Sequence, residues 1–175
     1  MKKFICIFSA ASVFLLVSCE SKQKQGVSDS VQKNLDATHA VTKAFETGDT
    51  SKIDEYVAVD FVDHSDKGDV GRDSLKSMII TMHAAQGAMN SKIIKELADE
   101  EYVFSMMNYT GTSDGSMGMP AGPYNMNSIE VVKFKEGKAI EHWAYMEPRE
   151  MMKMMEGMKP AMTDTAKESK MNGPK

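Results

Sequence analysis

An indole, a phenol and two carboxylates fall on one side of a single predicted strand near the end of the sequence. From Asn125 to Glu147 the chain reads NMNSIEVVKF, KEGK, AIEHWAYME: strand, tight turn, strand. Side chains alternate along a strand, so Glu141, Trp143, Tyr145 and Glu147 share one side, and Ile140, His142, Ala144 and Met146 share the other. The first set suits a face that lines a pocket, with apolar rings for bulk and polar tips for anchoring. If the strand turns the other way, His142 faces the pocket instead. A second chemical cluster lies early, in Val59-Asp60-Phe61-Val62-Asp63-His64-Ser65. The acids flanking His64 could raise its pKa or orient its ring, or could hydrogen-bond the loop backbone that follows. No second histidine stands at ligand spacing, so no metal and no cofactor are expected.

The elements that position these groups can be read in chain order. Val31, Leu35, Val41 and Phe45 recur at helical steps, with Ser28 or Ser30 to cap the start and Gly48 past the end. His39 lies at the edge of that stripe. A short helix around Ile53, Tyr56 and Val57 precedes the Asp60–Ser65 segment. A third helix is expected from Arg72 to Ala88, with Leu75, Met78, Ile79 and Met82 as its apolar stripe and His83 beside it. His83 reads either as a histidine at the edge of the core or as one that points into a cavity under this helix. Ser91 to Leu97 and Tyr102 to Thr110 read as strands, with Asn108 and Tyr109 as polar groups at the far end. Gly111 to Pro123 (GTSDGSMGMPAGP) reads as a hairpin connection over the cavity mouth, with Met117, Met119 and Met126 as its adaptable inner face. Glu136-Gly137 supplies the last hairpin turn. Pro148 opens a short methionine-rich helix to Met158.

The N-terminus reads as an address. Lys2-Lys3, an apolar run from Phe4 to Val17 too short for a comfortable membrane span, and Leu16-Val17-Ser18-Cys19 resemble the signal and lipobox of bacterial lipoproteins. The resemblance implies cleavage before Cys19, lipidation of Cys19, and a membrane-anchored protein of the cell envelope facing the periplasm or cell surface. The expected organisation is a leader over 1–18, a tether over 19–27, a domain over 28–158 and a disordered tail over 159–175. Cys6 would leave with the leader, so no disulfide framework remains. The formal net charge is −4, and loss of Lys2 and Lys3 makes the remaining chain about −6. No basic face is clustered, so nucleic acid is not an expected partner.

This order of elements is α+β. It resembles the nuclear transport factor 2-like superfamily, and within it the SnoaL-like polyketide cyclases. The matching residues are Asp60-Phe61-Val62-Asp63-His64 and the run from Val132 through Phe134, Glu136-Gly137-Lys138 and Glu141-His142-Trp143. The resemblance implies a cone: a curved antiparallel sheet wrapped by three N-terminal helices around an internal pocket, with a short C-terminal helix. It covers about Gln32 to Met155. The cyclases place a general-base Asp four residues after the tryptophan, and this chain has Glu147 there. On that reading Glu147 is the base, with His64 or Tyr145 as proton donor to an enolate oxygen. Phe61, Met82, His83, Asn108, Tyr109 and Trp143 are the expected ligand contacts. Three functions follow as expectations. The first is a lipid-anchored protein binding a small apolar molecule. The second is an isomerase- or cyclase-type enzyme, and the third a dimerisation module that pairs with a second copy through the open sheet face.

Overall fold

The computed structural model describes residues 27–65, 68–87, 89–116 and 119–157. The expected leader, Cys19, Met117 and the tail from residue 159 lie outside the described residues. The elements are α1 (Asp29–Thr47), α2 (Ile53–Tyr56), β1 (Val57–Ser65), β2 (Gly68–Val70), α3 (Arg72–Gln86), β3 (Asn90–Ala98), β4 (Tyr102–Ser113), β5 (Gly122–Lys135), β6 (Lys138–Met146) and α4 (Pro148–Gly157).

Ser28 caps α1 from an extended conformation, its side chain accepting from the Val31 N–H at 3.4 Å. The helix ends at Gly48, whose φ of 73° is left-handed and whose N–H donates to the Ala44 carbonyl at 2.8 Å. Buried Asn34 ties α1 to the β3–β4 turn, donating to the carbonyls of Asp99 and Glu100 at 3.2 and 3.1 Å. Ile53, Val57, Phe61, Leu75, Ile79 and Val103 form the core between the helices and one face of the sheet. Burial of these branched and aromatic side chains is the main stabilising term.

The sheet has six strands in the order β2-β1-β6-β5-β4-β3. Its pairings are antiparallel, as expected, apart from the single parallel pair of β1 and β6. A helix and four strands separate β1 from β6, and a connection of that length permits a parallel pair. At the β5–β6 turn both Glu136 (φ 54°) and Gly137 (φ 77°) are left-handed, as a two-residue hairpin of matching twist requires.

Two local features shape the site. Lys133 lies opposite Glu141 and Phe134 opposite Ala139, which leaves Ile140 as a bulge. Ala139 and His142 therefore both face the helices although they are three residues apart. The expected connection over Gly111–Pro123 is shorter than its composition suggests. β4 continues to Ser113 and β5 begins at Gly122, with Gly111 opposite Tyr124. A Cβ at Gly111 would stand 2.5 Å from the Tyr124 hydroxyl, so this glycine serves a close approach inside a ladder. Tyr124 in turn donates to Gln86 Oε1 at 3.1 Å, joining β5 to the end of α3.

Candidate functional site

A cavity of about 280 Å³ lies between α1, α3 and the inner face of the sheet. Most of its wall is apolar: Phe45 from α1, Phe61 from β1, Leu75, Met78 and Met82 from α3, and Val132 and Phe134 from β5. Its polar corner is built by Asp63 (β1), Tyr109 (β4), Glu130 (β5) and His142 (β6). The sheet register brings them together. Asp63 pairs directly with His142 across the parallel ladder, while Glu130 lies opposite Ala144, one step along β6 on the same face.

His142 Nδ1 lies 2.8 Å from Asp63 Oδ1, and Nε2 lies 2.9 Å from Glu130 Oε2. Burial works to lower the pKa of this ring, but the hydrogen bonds and charges of the two carboxylates outweigh it and push the value up to about 9. At neutral pH His142 is an imidazolium that donates to both acids. Tyr109 donates to Glu130 Oε1 at 3.2 Å, and burial first, then the neighbouring Glu130 charge, raises its pKa.

The remaining side-chain donors on the wall are also committed. Thr38 donates to the Asn34 carbonyl at 3.0 Å, Thr42 to the Thr38 carbonyl at 3.0 Å, and Ser128 to the Tyr145 carbonyl at 3.3 Å. Asp63 uses Oδ1 for His142, and among the described residues no hydrogen bond reaches its second oxygen. The corner thus offers acceptors to an occupant.

The expected site residues divide between two faces. Phe61, Met82 and Tyr109 stand on the cavity wall. Trp143, Tyr145 and Glu147 do not: the cavity takes His142, Ala144 and Met146, the opposite half of the strand. Trp143 stacks on His64 on the outer face, with ring centroids 4.7 Å apart, and Tyr145 is 56% exposed. Glu147 is exposed at the start of α4, where its carbonyl accepts from the N–H groups of Glu150 and Met151 at 2.9 and 3.0 Å. His64 lies between Asp69 (2.9 Å) and Glu141 (3.2 Å), outside the cavity, and these carboxylates raise its pKa. Glu141 also accepts from Lys133 at 2.8 Å; that bond, then the one from His64, lowers its pKa. Asn108 faces outward and donates to Asn125, Asn127 and the Met126 carbonyl. His83 packs against Gly48 rather than into the cavity, with Nδ1 buried and without a hydrogen-bond partner among the described residues.

The expected trio of Glu147, His64 and Tyr145 therefore lies off the cavity, whose polar corner is the cluster of Asp63, His142, Glu130 and Tyr109. The difference has a physical source. The outer sheet face is itself rich in apolar and aromatic groups, so an indole and a phenol on one side did not identify the inside. A usable signal was present: Ala144 and Met146 are apolar companions of His142, whereas Trp143 and Tyr145 alternate with charges.

Among the described residues no group of three or more His, Cys, Asp and Glu side chains is arranged to hold a metal ion. Among them, too, no helix is long and apolar enough to cross a membrane. A model of the SnoaL-like polyketide cyclase family matches residues 35–154. No curated protein sequence matches the chain. Among solved structures it is similar to a SnoaL-like polyketide cyclase from Agrobacterium tumefaciens, at 11% identity and a TM-score of 0.60, covering 70% of this chain and 97% of that one. A nuclear transport factor 2-like protein from Anabaena variabilis matches at 14% identity and 0.60, covering 71% and 95%. TsrD from Streptomyces laurentii matches at 17% and 0.61, covering 74% and 96%. At these identities the likeness is one of fold.

Proposed function

Since the chain belongs to the SnoaL-like polyketide cyclase family, we propose that it binds a small, largely apolar molecule in its internal cavity. The observation that carries this reading is the cavity itself: about 280 Å³ of space with an apolar wall and one polar corner. A neutral apolar fluorophore such as N-phenyl-1-naphthylamine tests it. Fluorescence should rise on mixing with folded protein and fall when Ala37, a buried wall residue of α1, is enlarged to Leu. No rise, or a rise indifferent to Ala37→Leu, defeats the reading.

Catalysis of the isomerase or cyclase type is a second reading, supported by carboxylates that face an apolar space. The proton acceptor would then be Asp63, through its second oxygen, and not Glu147. Such chemistry also needs a donor for the developing enolate oxygen, and the side-chain donors of the wall are already committed. Binding therefore ranks first. Solvent deuterium entering beside the carbonyl of a cyclohexenone probe, abolished in Asp63→Asn, would reverse that ranking.

We also propose that Cys19 is lipidated and holds the domain at the cell envelope, on the strength of the leader and lipobox-like residues. A third reading concerns the outer face of the sheet. Leu97, Phe104, Val131 and Trp143 form one cross-strand row, and Met106, Ile129 and Tyr145 form the next. Charges of both signs, Lys133 and Glu141 among them, border the rows. A two-fold-related second copy would set apolar row on row and opposite charges together, so the occupant we propose is another copy of this chain.

A further inference from the structure

We infer that the occupant of the cavity is a small organic cation: a protonated amine on an apolar body. The inference rests on the binding reading above and narrows it to a chemical class. Two inventories support it.

The first is the hydrogen-bond inventory. Five side chains on the wall carry an O–H or ring N–H: Thr38, Thr42, Tyr109, Ser128 and His142. Each of these hydrogens is spent on a protein oxygen. The acceptors are not spent, since the second Asp63 oxygen receives nothing among the described residues and the hydroxyl oxygens keep lone pairs. An occupant that brings donors completes the corner. One that brings only acceptors leaves both sides unpaired, a costly arrangement in a largely apolar cavity.

The second inventory is charge. No lysine or arginine lines the cavity among the described residues. Asp63 and Glu130 contribute two negative charges and His142 at most one positive, so the ionised corner is net negative whether or not the imidazole holds its second proton. An anion would meet two carboxylates and no free donor. An ammonium would meet opposite charge, and the rings of Phe45, Phe61 and Phe134 give the wall the aromatic character that favours cations.

Three probes of one shape test this: 2-phenylethylamine, 2-phenylethanol and 3-phenylpropanoate, titrated at neutral pH into the full chain and followed by calorimetry or protein NMR. The amine should bind at least about tenfold more tightly than the alcohol, and the acid should bind more weakly than the alcohol. Asp63→Asn keeps an oxygen for His142 and offers an amide N–H₂ in place of the second oxygen, so it should erase the preference for the amine. If Asp63→Asn fails to fold, the wild-type series decides alone. Alcohol binding as tightly as amine, or acid binding most tightly, overturns the cation inference and leaves cavity binding standing. Absence of binding by all three removes cavity binding and, with it, this inference.

Discussion

His142 and Asp63 face each other across the parallel β1–β6 ladder and join at 2.8 Å inside the cavity. Because Glu130 holds the other ring nitrogen, His142 binds its proton more tightly in the folded chain than in the unfolded one, with values of about 9 and 6.5. Its contribution to stability is therefore complete below pH 6.5 and drains away as the pH rises through about 9. A displacement of that size corresponds to about 3 kcal/mol. Urea unfolding at pH 6, 8 and 10 should show the decline, and in His142→Leu that pH-dependent loss should vanish. His142→Leu should itself lose about 3–5 kcal/mol, since buried Asp63 and partly buried Glu130 are left without their cation. An unfolding free energy that is flat from pH 6 to pH 10 contradicts the arrangement.

Exchange of the carboxylate that the resemblance nominated should matter little. Glu147 is exposed and lies off the cavity, so Glu147→Gln should change stability by no more than about 0.5 kcal/mol and leave probe binding unchanged. Glu130→Gln, on the cavity wall, should weaken amine binding by about tenfold or more. Titration of both variants side by side separates the two positions; a loss confined to Glu147→Gln would restore the nominated base.

The fold was legible because its signals are local. The alternation of β5 and β6, the turn at Glu136-Gly137 and the capped stripe of α1 each fix an element within a few residues. The site was legible only in part. Phe61, Met82 and Tyr109 were reachable from apolar patterning, since a stripe or strand that packs on a core also walls a cavity within it. The face of β6 was not, because alternation splits a strand into halves without saying which half meets the helices. The Ile140 bulge added a parity change that no spacing rule contains. Pairing of Asp63 with His142 depends on a parallel contact between segments 79 residues apart, and periodicity within either segment is silent about it.

Gly48 should resist substitution. Its backbone is left-handed, and a Cβ would stand 2.7 Å from the His83 ring. Gly48→Ala therefore combines conformational strain with a shift of α3 against the end of α1, and should cost about 2 kcal/mol or more. Thermal or urea unfolding reads this directly. Gly68, also at positive φ but with open space around its Cβ position, is the control. Gly68→Ala should show the backbone cost of about 1 kcal/mol alone.

The outer face makes its own demand. Phe104, Met106, Ile129 and Tyr145 are each exposed by two fifths or more while lying side by side. Sedimentation of the domain should give a dimer at micromolar concentration, and Phe104→Glu should return it to a monomer without loss of stability beyond about 0.5 kcal/mol. A monomer at the highest attainable concentration removes the second copy as the occupant of this face.

The last prediction concerns where the cavity is held. Lipidation would place the domain within a tether's length of a bilayer: Glu20 to Val27 is eight residues and, fully extended, reaches no more than about 30 Å. Cys19→Ala removes the only acceptor for lipid at that position and leaves every cavity residue in place. Expressed in a bacterium, the wild-type chain should pellet with membranes and partition into detergent, while Cys19→Ala should be recovered in the aqueous fraction. Probe binding by the released variant should match that of the anchored form, because the anchor and the cavity are built from separate stretches of chain. Cys19→Ala that still pellets with membranes defeats the anchor; released protein that no longer binds the probes would tie the cavity to the membrane instead.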